Sequence, residues 1–247
     1  MHGLGTIINT LAVAVGGLVG MHLKSGISEK MQKTLMQACG VATIFIGAGG
    51  TLSRMFVSNG DGTFGTQGTL MMILSMVIGG LIGEWLDVEA GMEYLGERLK
   101  KAVKAEKDNG FVDGFVNVSL IICVGAMAIV GAIQDGISGD YSMLTAKAIL
   151  DMIIVMVFAS TYGVGAVFSA LAILVYQGSI TLLAMLFGSI ASDSLIWALA
   201  YVGSALIFCV GINIAFGKKF RVGNLLPALV IAGVLQVICD LTGYVLP

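Results

Sequence analysis

Charge is what this chain has least of. Lys, Arg, Asp and Glu supply 11% of its 247 residues, where an average soluble domain carries roughly 25%. No GxxxxGKS or GxxxxGKT string occurs, so the chain has no phosphate-binding loop of its own for nucleotide-driven work. No CxxC occurs either, and Cys39, Cys123, Cys209 and Cys239 all fall in apolar stretches. They read as buried thiols rather than disulfides or metal ligands. His2 and His22 stand far apart, so neither a metal site nor a cofactor is expected. The string ending at Asp140 lacks the first glycine of the GxGD signature of intramembrane aspartyl proteases, and no GxSG pattern accompanies a histidine. These absences argue against an enzyme. A net charge of -2 argues against a nucleic-acid partner.

What is present is apolar length. The chain is 57% hydrophobic, and runs of about 18 to 25 apolar residues, each able to span a bilayer as a helix, recur along it. Backbone polar groups in lipid must be satisfied within the chain, so the spans are predicted to be helices. The expected fold is all-α, one polytopic integral membrane domain over 1–247. The N-terminus has no basic region and runs straight into a full-length span, which predicts a retained helix rather than a cleaved signal.

Segments are expected at about 4–23, 35–57, 69–86 and 114–134, then two within 146–187, then about 194–216 and 225–245. The tract 146–187 is too long for one helix and is interrupted at STYGVG (160–165), which is where we split it. That makes eight spans, with seven as the alternative if the tract holds one span or one plus a re-entrant segment. Lys24, Lys30 and Lys33 follow the first span; Arg98, Lys100, Lys101, Lys104 and Lys107 follow the third; Lys218, Lys219 and Arg221 follow the seventh. The intervening loops are almost free of basic residues. By the positive-inside rule both termini lie outside the cytoplasm. The soluble-looking stretch 87–110 is expected to be a cytoplasmic amphipathic helix.

An internal repeat shows in LAVAVGGLVGMHLK (11–24) against LSMVIGGLIGEWLD (74–87), and more weakly in CGVATIFIGAGG (39–50) against CVGAMAIVGAIQ (123–134). This suggests duplication of a two-span hairpin, 4–57 and 69–134, of a kind common in secondary transporters. Gly16, Gly17 and Gly20 in one copy, and Gly79, Gly80 and Gly83 in the other, form small-residue faces for close helix packing or for a pore or hinge. Gly125 and Gly131 stud the run before Gln134 and Asp135.

Polar residues inside the spans are the pointers to function, because each is costly in hydrocarbon without a partner or a cavity. Asp151 follows Lys147 by four residues and reads either as an ion pair near the membrane surface or as a cation or proton site. Asp240 reads as an interfacial carboxylate. Asn9, Thr10, Asn117, Asn213 and Gln236 can bridge helices or coordinate a solute. Gln134 and Asp135 close an apolar run in which Gly136 and Gly139 stop the helix. A carboxylate at a helix C-terminus is electrostatically poor unless it meets a cation or proton, so Asp135 is either an ion site or a solvated turn.

At GTIIN (5–9), GAMAIVGAIQDGISGD (125–140), KAILD (147–151) and RVGNLLPAL (221–229), the sequence resembles small bacterial inner-membrane proteins of the domain of unknown function 554, the YqgA or YdfK type. The likeness covers essentially the whole chain and implies a bacterial inner-membrane location. It also implies that Gln134, Asp135, Lys147, Asp151 and Asn224 occupy motif positions. Pro227, lacking an N–H, opens or kinks the last span and frees carbonyls near Asn224.

The function expected from these readings is secondary transport, or a channel-like route, for a small solute or ion. The alternative is a membrane scaffold or sensor docking a partner through 87–110. The expected surroundings are the lipid bilayer and further copies of the chain in a homo-oligomer.

Overall fold

A computed structural model describes residues 2–23, 28–91, 94, 98, 101, 110–123, 126–187, 192–217 and 219–244. Its helices are α1 (Leu4–His22), α2 (Glu29–Met55), α3 (Thr69–Leu86), α4 (Phe111–Cys123), α5 (Ala126–Ile137), α6 (Ser142–Tyr162), α7 (Val164–Phe187), α8 (Asp193–Phe216), the short α9 (Val222–Leu225) and α10 (Pro227–Thr242). Between α2 and α3, strands β1 (Phe56–Ser58) and β2 (Phe64–Thr66) pair antiparallel. The all-α expectation misses this hairpin, whose turn is built on Gly60 and Gly62 at positive φ. The fold is otherwise that of a polytopic helical membrane protein.

Among the described residues, seven helices are long and apolar enough to cross a membrane, and α4 with residues Met127–Ile137 of α5 meets the same test as a pair bent by 75°. The tract 146–187 divides where expected: Gly163, at φ 69 and ψ −140, ends α6 and its N–H bonds to Ala159 O. The span expected at 114–134 is instead the bent pair.

The packing falls into two units. The first comprises Met1–Cys39, Glu89–Cys123 and Met127–Ser189; the second comprises Gly40–Val88, Val124–Ala126 and Ile190–Pro247. In the first, Val13, Val118, Ile122, Ile154, Val155, Phe158 and Ile173 form a buried apolar core. Gly16 and Gly20 bring α1 against the backbone of α6: a Cβ on either would stand 2.4 Å from Met152 O or 2.1 Å from Met156 O. Contacts 16–152 and 20–156 rise together, so α1 and α6 run parallel. By length and composition the described residues hold seven spans, or eight with the bent α4–α5 pair counted as one.

In the second unit the contacts run the other way. A Cβ on Gly79 would stand 2.3 Å from Ala228 Cα, and one on Gly83 would stand 1.8 Å from Asn224 O, so α3 and the α9–α10 span are antiparallel. Gly80 is looser, with Leu225 Cδ2 at 3.2 Å. The last span breaks at Pro227, which sits at the start of α10 where a missing N–H costs nothing. α8 begins at Ser192, whose Oγ accepts the Leu195 N–H at 3.2 Å. Large apolar side chains such as Trp85, 84% exposed, cover outward faces, as helices facing lipid require.

Candidate functional site

The first unit encloses a chain of buried polar side chains contributed by α1, α5, α6 and α7, to which α4 adds the Ile122 carbonyl. Its centre is Asp151, the tenth of the 21 residues of α6. At 1.5 Å per residue that is about 14 Å from the start of the helix and about 17 Å from its end, close to the middle of a span that crosses a roughly 30 Å hydrocarbon layer. The sequence reading started this span at Ala146 and left a surface ion pair and an ion site both open. The helix in fact begins at Ser142, whose N–H donates to Asp140 Oδ1 at 3.0 Å. That bond also holds the Asp140 carboxyl below the ordinary carboxylate range.

Asp151 is 4% exposed and Lys147 6%. The Lys147 ammonium is ion-paired with Asp151 Oδ2 one turn away. It also donates to Ile122 O at 2.7 Å. Ile122 is next to the last residue of α4, where helix carbonyls have no partner four residues on. An ammonium there meets the negative end of the helix dipole. The break in the fourth span and the buried ion pair are thus parts of one arrangement.

Asn9 Nδ2 donates both to Asp151 Oδ2 at 3.1 Å and to Gln177 Oε1 at 3.0 Å. Because two acceptors fix the NH2 group, the orientation of the amide is settled, and Asn9 Oδ1 is left buried with no partner among the described residues. Gln177 Nε2 donates to Thr6 Oγ1 at 3.0 Å, and Thr6 Oγ1 lies 2.9 Å from Thr181 Oγ1. Ser119 Oγ is another buried oxygen without a partner among the described residues.

The chain ends at Asp135. Its carboxylate is fully buried and accepts the N–H of Gly3 at 3.1 Å and of Thr6 at 3.2 Å. Poorly placed at the C-terminal end of α5, it lies instead at the N-terminus of α1, which has no side-chain cap from its own sequence. There a carboxylate satisfies orphan N–H groups and complements the dipole. A solvated turn does not describe it. Asp135→Ala should cost about 1.5–3 kcal/mol, as loss of charge-assisted hydrogen bonds does. Gln134→Ala, at an exposed site, should stay within about 0.5 kcal/mol; thermal unfolding in detergent measures both.

The remaining sequence candidates lie elsewhere. Asn213 clamps the turn after α8: its Oδ1 accepts the N–H of Lys219 at 2.8 Å and of Phe220 at 2.9 Å, and its Nδ2 donates to Phe220 O at 2.8 Å. Asn224 Nδ2 donates to Glu84 Oε2 at 2.8 Å, beside Arg221, which is ion-paired with Glu84 and Asp87. Gly131 packs on Leu144, whose Cδ2 would lie 2.6 Å from an added Cβ, and Gly17 packs on Val167. Gly125 and most of 87–110 lie outside the described residues; of that stretch, Arg98 sits 5.0 Å from the ring centroid of Tyr94. The four cysteines are thiols, three of them buried. Sequence reasoning missed Thr6, Gln177 and Thr181. The available signal was their spacing: Thr6 and Asn9 share one face of α1, and Gln177 and Thr181 share one face of α7.

These features define a polytopic α-helical membrane protein with a buried polar chain that runs from the N-terminus of α1 to the Lys147–Asp151 ion pair midway along α6. The family described as protein of unknown function DUF554 matches residues 4–237, and the chain belongs to that family. It is 33% identical over 227 residues to the uncharacterized membrane protein YdfK of Bacillus subtilis, covering 92% of this chain and 93% of that one. It is 28% identical over 233 residues to the uncharacterized protein YqgA of Escherichia coli, covering 93% of this chain and 94% of that one. No solved structure matches it significantly.

Proposed function

We propose that this protein is a secondary transporter, or a channel-like protein, for a small solute or ion. Asp151, Lys147 and Asn9 form its substrate or coupling-ion site. The observation that carries the reading is the buried Asp151–Lys147 pair halfway along α6, whose ammonium also reaches the Ile122 carbonyl at the end of α4. A charge at that depth costs at least about 2.5–3.5 kcal/mol and is a functional feature by default. A half-helix end with its free carbonyls is where ion-coupled transporters hold their ions.

The arrangement has two natural states. With the site empty, the ammonium neutralises Asp151. A cation or proton arriving at Asp151 competes with Lys147, which keeps the Ile122 carbonyl, while Asn9 Oδ1 adds an oxygen ligand. No covalent step is involved, and the protein is read as a non-enzyme acting without a cofactor. Lys30 and Lys33 at the start of α2, with Lys219 and Arg221 before α9, support an orientation with both termini outside the cytoplasm of a bacterial inner membrane. The small-residue faces and the exposed apolar helix faces suit a homo-oligomer in lipid.

Reconstitution tests this. Proteoliposomes carrying a proton or sodium gradient should show solute or ion flux that Asp151→Asn abolishes while the protein still inserts and unfolds cooperatively. Flux unchanged by Asp151→Asn would sink the reading. Absence of flux for every solute class, together with a partner lost when 87–110 is deleted, would favour the scaffold instead.

A further inference from the structure

The second unit contains a cavity of about 440 Å³ that none of the foregoing uses. It lies where α3 and α8 begin and α10 ends, lined among others by Met71, Ser194, Trp197, Gln236, Asp240 and Tyr244. Its chemistry is lopsided. No Lys, Arg or His is among its lining residues, and Asp240 supplies the charge.

The Asp240 carboxylate is held by neutral groups. Oδ1 accepts Gln236 Nε2 at 2.8 Å, and Oδ2 accepts the hydroxyls of Ser194 at 2.7 Å and Ser192 at 3.1 Å. Three hydrogen bonds leave one of about four acceptor positions open, and the carboxylate is exposed with no cationic side chain among the described lining residues. Asp240 is also two residues from the end of α10, where the helix dipole adds negative potential. The opposing dipole of α8 is already answered by the Ser192 cap and by Asp193 in its first turn. The site is therefore one that attracts a cation.

The walls say which kind. Trp197 is stacked on Tyr201 with ring centroids 5.0 Å apart. Its ring also lies against the backbone of Gly68, where an added Cβ would stand 2.7 Å from Trp197 Cη2. Trp197 is thus held in place from two sides, and Tyr244 lines the same cavity. A fixed indole, a second and exposed ring, a thioether and a single carboxylate in a volume suited to a small molecule recognise an alkylated ammonium far better than a bare metal ion. We propose that this cavity is a binding site for an organic ammonium group, seated between Trp197 and Tyr244 with its charge towards Asp240. The same group occurs on free solutes and on ethanolamine lipid headgroups. Nothing in the proposal draws on the Asp151 cluster.

The chain has two tryptophans, so in a Trp85→Phe background the emission reports Trp197 alone. In maltoside micelles, choline should change that emission saturably, with matching heat by calorimetry. Its neutral isostere 3,3-dimethyl-1-butanol should not saturate. Asp240→Asn, with its unfolding transition intact, should weaken choline about tenfold, the effect of one lost charge contact. Tyr244→Ala, at an exposed position where folding is safe, should weaken it a few-fold. Equal response to the isostere, unchanged affinity in both variants, or neither emission change nor heat would overturn the proposal. In nanodiscs, weaker choline binding with phosphatidylethanolamine than with phosphatidylglycerol, lost in Asp240→Asn, assigns the site to a lipid headgroup. Equal binding in both assigns it to a free solute.

Discussion

Lys147→Met is expected to destabilise the protein by about 3–5 kcal/mol, the cost of stranding one member of a buried ion pair. Asp151 would be left buried in an apolar surround with one amide donor, Asn9 Nδ2, and Ile122 O would lose its ammonium. The informative comparison is Lys147→Met/Asp151→Asn. Removing both charges relieves the stranded carboxylate, and the new amide oxygen can still accept from Asn9, so most of the loss should return. About 1 kcal/mol should remain for the unsatisfied Ile122 carbonyl. Denaturant or thermal unfolding in micelles measures this. A double variant no more stable than Lys147→Met would mean the pair is not the source of the loss. If the pair serves transport, the double variant should be stable yet without flux, which separates the fold's need for neutrality from the function's need for charge.

The second large effect is at the glycine contacts. Gly20→Val and Gly83→Val should each cost more than about 3 kcal/mol, the upper end of what overpacking ordinarily costs. The reason is what lies opposite: an added Cβ would be 2.1 Å from Met156 O and 1.8 Å from Asn224 O, and both are backbone atoms that no rotamer change can move. The helices would have to part. In lipid, where no hydrophobic effect draws helices together, parted helices lose the packing that holds them. Gly80→Ala is the control. It meets a flexible leucine methyl at 3.2 Å and should stay within about 1 kcal/mol of the parent, since alanine also favours the helix. If all three variants unfold alike, backbone contact is not what the stripe provides.

Much of the fold could be read from the chain because lipid enforces simple rules. Apolar length located α3 and α8 to within a residue, and the glycine in STYGVG located the α6–α7 junction, since a left-handed φ there suits no other residue as well. The break in the fourth span was not legible. Residues 114–134 read as one apolar run, and what organises the break is tertiary: a lysine 25 residues further on reaching the Ile122 carbonyl. Asp151 was singled out by its charge, but its distance from the helix start was read too short, because residues 142–145 before Ala146 belong to the helix. Gln177, Thr6 and Thr181 escaped notice as single uncharged residues among leucines, alanines and isoleucines. Their meaning depends on which helix faces meet, and no single-helix pattern carries that.

The path of the polar chain also has a consequence for the order in which the protein can be made. α1 leaves the ribosome well before α5, α6 and α7, yet its N–H groups at Gly3 and Thr6 bond to Asp135, and its Asn9 to Asp151 and Gln177. At about 5–20 residues per second, the wait from Asn9 to Gln177 is roughly eight to thirty-four seconds of synthesis without the native partners. α1 is therefore completed late, when α7 arrives beside it.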